Sequence, residues 1–302
     1  MAKLIQWFPG HMKKAMRDME EKRALCDGVI CVLDSRAPIA TYNPKLPEIF
    51  AGKPVLYVLN KSDLSDGKSE KFAAMIEAQG KPCVAISAVN GASRRVLEKR
   101  LQILTKEKRE RAESKGVTRR FRYTVVGIPN TGKSTVVNLL GGAKRAKTGD
   151  IAGVTRDVRW IKCADFDLLD TPRTMPPSCK TQYLARHLAY IGSLNDDILD
   201  IADVALELLK ELKANYPAAL QERYGIDCGG NNAETDKTAD EEERTREAVE
   251  MLETACRRRG FILRGGEFDY ERGARAVIDD FRKGRLGKIC LENPSDFADV
   301  KF

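Results

Sequence analysis

The stretch GIPNTGKS at 127–134 has the spacing G-x-x-x-x-G-K-[ST], and the chemistry it suits is holding phosphate. Glycines let successive backbone N–H groups close around anionic oxygens, a lysine reaches the β- and γ-phosphates, and a hydroxyl ligates Mg2+. Here those parts fall to Gly127, Asn130, Thr131, Gly132, Lys133 and Ser134, with Thr135 next in line for the α-phosphate. An apolar run, FRYTVVG (121–127), precedes the stretch, and an apolar helix-like run starts near Lys133. That is the strand, loop and helix order the mechanism needs.

A second group of residues bears on the base that accompanies the phosphates. NKSD (60–63) follows the apolar run PVLYVLN (54–60). The Asp63 carboxylate suits the N1–H and 2-amino donors that guanine has and adenine lacks, Asn60 suits bracing of neighbouring loops, and the Lys61 stem can lie along the base. Ser87-Ala88, at the end of CVAIS (83–87), would offer backbone N–H to the guanine O6. Downstream, Thr155 in GVTR (153–156) can complete a Mg2+ shell when a γ-phosphate is present, and Asp170, closing FDLLD, can hold Mg2+ through water. The expected ligands are therefore GTP and GDP, with Mg2+ held by Ser134, Thr155 and Asp170.

These residues need a scaffold, and the sequence supplies one. GVICVLD (28–34), PVLYVLN, CVAIS, FRYTVVG, VRWIKC (158–163) and FDLLD (166–170) are short Val- and Ile-rich runs, mostly separated by helix-length segments such as 92–113. The pattern predicts a mostly parallel sheet flanked by helices. The motif order is unusual, because the base-reading residues 60–63 and 87–88 precede the phosphate loop. A parallel sheet accommodates this if the chain is circularly permuted. The cut falls just after Asp170-Thr171-Pro172, in the loop that would sense the γ-phosphate, so that loop runs directly into the C-terminal part.

That part reads as helical. LNDDILDIADVALELLKELKANYP (194–217) has helical periodicity and is closed by a proline, and a polar patch covers roughly 228–243. Thr238 to Glu241 fits a capping box for a helix ending at Arg257-Arg258-Arg259 before Gly260. A last helix near 270–283 places Ala274, Val277, Ile278 and Phe281 on one face. The expected architecture is α/β: a circularly permuted P-loop GTPase domain over 1–178, followed by a smaller all-helical domain over 179–302.

Composition narrows the classes. The 302 residues are 42% apolar and 32% charged, as in globular proteins, and the net charge of +8 suits a polyanionic partner. Eight scattered cysteines without a C-x-x-C pair, and only two histidines, argue against a zinc site and for reduced thiols. No apolar run approaches the ~20 residues that span a bilayer, and the N-terminus lacks the apolar core of a secretory leader. A cytoplasmic, monomeric protein without membrane contact is expected. At the start, WFPGHM (7–12) sets Trp7 and Phe8 as anchors beside a Pro9-Gly10 turn, with His11 next.

With the permuted order, WFPGHMKKAM (7–16), LDSRAP (33–38), NP (43–44), NKSDL, GIPNTGKST and DTP, the chain resembles the bacterial ribosome biogenesis GTPase A (YlqF) family. RRRGFILRGGEFDYERGARAVIDDFRKGRLGKICLE (257–292) resembles its closing segment. The resemblance implies GTP hydrolysis, stimulation by the ribosome, and binding to a late precursor of the large ribosomal subunit, through rRNA and ribosomal proteins. It implies that His11 replaces the usual catalytic glutamine and that Asn130 is a K+ ligand. Arg257, Arg258, Arg259, Arg264, Arg272, Arg275, Arg282, Lys283, Arg285 and Lys288 are the candidate rRNA contacts.

The chain departs from the family pattern at one important position, and Thr174, where an apolar residue is typical, is a second departure. The family's D-T-P-G is here Asp170-Thr171-Pro172-Arg173. The glycine N–H normally meets the γ-phosphate, and its missing Cβ lets the loop flip. Two readings stay open: a hydrolysing assembly factor whose nucleotide state moves the C-terminal domain, or a nucleotide-gated rRNA-binding module with little or no intrinsic hydrolysis.

Overall fold

The computed structural model describes residues 19–21, 23–142, 159–170, 181–228 and 240–302. His11, Thr155, Thr171, Pro172 and Arg173 lie outside the described residues, as do Thr238 and most of the polar patch; Asp170 is placed by its backbone. The chain forms two compact units.

The first unit is built on a six-stranded sheet of order β3-β2-β1-β4-β6-β5. Its strands are β1 (Gly28–Asp34), β2 (Val55–Asn60), β3 (Cys83–Ala85), β4 (Phe121–Val126), β5 (Arg159–Lys162) and β6 (Phe166–Asp170). All pair in parallel except β5, which runs antiparallel to β6. Every residue of β1 is buried, because a central strand covered on both faces has no solvent side to alternate with. Helices α1 (Leu46–Ile49), α2 (Lys68–Ala78), α3 (Ser93–Leu104), α4 (Lys106–Glu113) and α5 (Lys133–Gly141) belong to this unit. Val32, Val58 and Val125 of the sheet share one core with Leu97 and Leu101 of α3 and Val136 and Leu140 of α5.

The helix expected over 92–113 is interrupted at Thr105, whose φ of −112° and ψ of 15° leave the helical region. Its hydroxyl stands 3.1 Å from the Leu101 carbonyl and 2.8 Å from the Tyr123 hydroxyl, and α4 beyond it buries no residue. The described cysteines are free thiols. Burial pushes Cys83 and Cys290 up to about 12, which makes them inert packing residues.

The second unit, Thr181–Ile289, comprises α6 (Gln182–Tyr190), α7 (Ile201–Asn215), α8 (Pro217–Tyr224), α9 (Glu241–Arg259) and α10 (Tyr270–Arg282). Two local expectations change. Pro217 does not merely close α7 but opens α8 at its first turn, where a missing N–H goes unnoticed. The cap of α9 is Asp240, whose carboxylate accepts the Glu243 N–H at 2.8 Å, so the helix begins after the residue that the capping-box reading placed inside it. Its far end is as expected, with Gly260 at φ 69°. Ala274, Val277, Ile278 and Phe281 form the buried face of α10. Buried Asp280 is gripped by Arg223, Arg285 and the Tyr224 hydroxyl. The last segment, Cys290–Phe302, packs with the sheet unit. Among the described residues no helix is long and apolar enough to cross a membrane.

Candidate nucleotide-binding site

Parallel strands point their carboxyl ends to one edge, and the loops leaving that edge meet there. From β1 the chain runs outward to β2 and β3 on one side, then returns to β4 on the other side of β1. In open α/β sheets the crevice at such a reversal is where ligands bind. The edge carries Asn60 at the end of β2, Ser87-Ala88 beyond β3, and residues 127–132 beyond β4. Their meeting depends on strand order and not on chain order, which is why the permuted motif sequence still assembles.

The phosphate loop is shaped by sterics. A Cβ on Gly127 would stand 2.6 Å from the Val32 carbonyl oxygen, and one on Gly132, at φ 85°, would stand 2.2 Å from Asn60 Nδ2. Thr131 is fully buried, its hydroxyl donating to the Ile128 carbonyl at 3.1 Å. Lys133 and Ser134 open α5, with Lys133 buried and Ser134 and Thr135 half-buried. A helix start of this kind directs unsatisfied N–H groups and a partial positive charge at an anion.

The residues expected to read the base are braced against this loop. Asn60 Nδ2 donates to the Thr131 carbonyl at 2.9 Å, while Asn60 Oδ1 accepts the Ala88 N–H at 3.0 Å. One buried amide therefore ties the loops after β2, β3 and β4 together. The Ser62 N–H adds a bond to the Ile86 carbonyl at 3.0 Å. Ser87 accepts through its carbonyl from the Ser93 hydroxyl at 2.8 Å, which holds the turn. Asp63 stands exposed in the short 3-10 turn Ser62–Leu64, with its carboxylate at the surface.

Lys61 brings in residues that motif reading did not assign. Its ammonium donates to the Asn130 carbonyl and, at 2.8 Å, to Asp34 Oδ2. Asp34 is fully buried at the end of β1 and also receives the Arg36 guanidinium through Nε at 3.0 Å and Nη2 at 2.8 Å. Burial by itself would raise this carboxyl, but the charges and hydrogen bonds of Arg36 and Lys61 outweigh it and hold the group well below the usual carboxylate range. Lys61, at φ 62°, and Asn130, at φ 61°, are the two non-glycine residues of positive φ among those described. Strained backbone of this kind persists where surrounding contacts over-determine it, and here the two strained residues touch. The signal was present in LDSRAP, which carries Asp34 and Arg36 two residues apart, but no spacing rule links them to Lys61.

The candidate rRNA-contact cations of the helical unit fall into three groups. Arg282 is bound bidentately to Asp196 and to the Ala189 and Tyr190 carbonyls, a structural role. Arg275 pairs with Glu271, Lys283 with Asp279, and Arg285 with Asp279 and Asp280. Arg257 lies over the Phe268 ring, and Arg259 and Arg272 over Phe261. Arg258, Arg264 and Lys288 are exposed.

Comparison with known proteins agrees with this construction. A family model described as 50S ribosome-binding GTPase matches residues 122–226. The ribosome biogenesis GTPase A of Bacillus cereus is 36% identical over 299 residues, covering 98% of this chain and 96% of that protein. The protein of the same name from Thermotoga maritima is 28% identical over 302 residues, covering 98% and 97%. The crystal structure of GNP-bound YlqF from T. maritima superposes with a TM-score of 0.63 at 25% identity, covering 93% of this chain and 98% of that one. Its sheet, its nucleotide loops and this full-length similarity place the chain in the ribosome biogenesis GTPase A family.

Proposed function

We propose that the protein hydrolyses GTP to GDP and phosphate with Mg2+, and that it uses this cycle, as a cytoplasmic monomer, in late maturation of the large ribosomal subunit. The carrying observation is the Asn60 amide, which locks the guanine-reading loops onto the phosphate loop in one rigid frame. The N–H groups at the start of α5 and the Lys133 ammonium neutralise phosphate charge, and the Asp63 carboxylate selects guanine over adenine.

The oxygen donors fit Mg2+, which keeps several waters and takes few protein ligands. The Ser134 hydroxyl lies in the first turn of α5, and Asp170 pairs in register with Val125, at the same sheet edge as the phosphate loop. Thr155 would supply a third contact to Mg2+ when a γ-phosphate is present. Mg2+ would add charge neutralisation of the transferring phosphoryl group. Asn130, strained beside Lys61, is the proposed K+ ligand. His11 orients or polarises the attacking water, a task for which an imidazole is suited near neutral pH.

The segment after Asp170 leads into the helical unit, so loss of the γ-phosphate reorients that unit through a covalent lever. Exposed Arg257, Arg258, Arg264 and Lys288 are its proposed rRNA contacts. The test is single-turnover GTP hydrolysis with and without purified large subunits, for the wild type and His11→Ala. Stimulation in the wild type that is lost in the mutant supports the reading. Negligible turnover in both, with GTP-dependent subunit binding, favours the nucleotide-gated rRNA module that Arg173 suggests.

A further inference from the structure

Glu292 lies in the segment that packs back onto the sheet unit, and it is completely buried. Its two carboxylate oxygens accept the backbone N–H of Ile39 at 2.6 Å and of Ala40 at 3.0 Å, residues more than 250 positions earlier. One residue before it, the Leu291 N–H donates to the Arg36 carbonyl at 2.8 Å. Three ties thus fall on the loop that leaves β1. A buried carboxylate is costly unless fully hydrogen-bonded, and here both oxygens are engaged by main-chain donors.

The clasped loop is the one that forms the clamp on Asp34. The Arg36 N–H and Nε both donate to Asp34 Oδ1 at 3.0 Å, and the Asp34 N–H donates to the Thr41 hydroxyl at 3.1 Å. The Thr41 hydroxyl closes the turn on the Ala37 carbonyl at 2.8 Å. Asp34 in turn holds Lys61, and Lys61 reaches the phosphate-loop carbonyl of Asn130. A continuous series of direct contacts therefore runs from Glu292 to the phosphate loop, all of it inside the sheet unit.

We propose that Glu292 is a positioning residue of the nucleotide site: by fixing the loop after β1 it sets the Asp34–Arg36 clamp that aims Lys61. The C-terminal segment then raises guanine-nucleotide affinity without touching the nucleotide. This rests on the guanine-nucleotide reading of the site above.

Phe302 supplies the control. It lies in the same segment and stacks on Tyr42, in the loop after β1, and on Tyr57, with ring centroids 4.6 and 5.5 Å away, but it makes none of the hydrogen bonds to Asp34, Arg36 or Lys61 described above. GDP binding by the full-length wild type, Glu292→Ala and Phe302→Ala is measured by calorimetry, well below each variant's unfolding midpoint. Glu292→Ala is expected to raise the GDP Kd about tenfold, while Phe302→Ala lowers the Tm yet leaves Kd within about twofold. If Glu292→Ala does not fold, Glu292→Gln keeps one acceptor and is expected to raise Kd about threefold. A Kd unchanged on altering Glu292, or raised equally by Phe302→Ala, overturns the proposal. A wild type that fails to bind GDP overturns the site reading, and this proposal with it.

Discussion

Asn60 and Thr131 are 71 positions apart and are joined by one hydrogen bond, from the Asn60 side-chain amide to the Thr131 carbonyl at 2.9 Å. The next residue, Gly132, has no room for a Cβ because that same amide occupies the space. Asn60→Ala should leave the buried Ala88 N–H and Thr131 carbonyl unmet, a cost of about 1–3 kcal/mol per group. We expect at least a roughly tenfold weaker GDP affinity. Gly132→Ala should be worse, since its Cβ displaces that amide and φ 85° disfavours a side chain. Calorimetric titration of both variants checks the order.

Asp63 is exposed. Asp63→Asn exchanges one acceptor for an amide that can donate, so it should lose guanine and gain xanthine nucleotides, whose 2-oxo group accepts. Two charge-assisted bonds are at stake, so GTP binding should fall by roughly 100-fold or more. Competition between GDP and XDP for the variant decides this; a variant that still prefers GDP would refute Asp63 as the base-reading residue.

Asp34 is a buried charge with two cationic partners. Asp34→Asn removes the buried negative charge that faces Arg36 and Lys61 and should cost about 3–5 kcal/mol at neutral pH. The folded-state carboxyl is held below its ordinary value, so its contribution is complete above the unfolded pKa of about 3.9. It is lost as pH falls through the lower folded value. Urea titrations from pH 7 downward should therefore show the gap between wild type and Asp34→Asn shrinking below about pH 4.

In the helical unit, a Cβ on Gly273 would stand 2.2 Å from the Cys256 sulfur. Helices α9 and α10 approach closely there, and Gly273→Ala should destabilise by about 1–3 kcal/mol through overpacking. Combining it with Cys256→Ala should recover more than half of that loss, a non-additivity that marks direct contact. Denaturant midpoints of the two single variants and the double variant measure it.

The phosphate loop and the strands around it were legible in the chain because a P-loop needs fixed residue types at short spacing, and the proposed guanine contacts at 60–63 were read from the same kind of local pattern. The alternation of Val-rich runs with helix-length segments likewise required a parallel sheet, and the permuted motif order followed from position alone. Local signals were less decisive. The capping-box reading took Thr238 as the cap, whereas the Asp240 carboxylate caps α9. Pro217 can end one helix or start another, and it starts one.

What tertiary structure alone decided is which distant residues support the site. Asp34, Arg36 and Glu292 look in sequence like ordinary charged residues, whose usual fate is a solvated surface. They are buried because strand order brings the end of β1 beside the end of β2, and because the chain returns after residue 289 to cover that loop. Hydrogen bonds spanning some 250 residues leave no period or spacing in the chain, since they depend only on where the folded backbone passes.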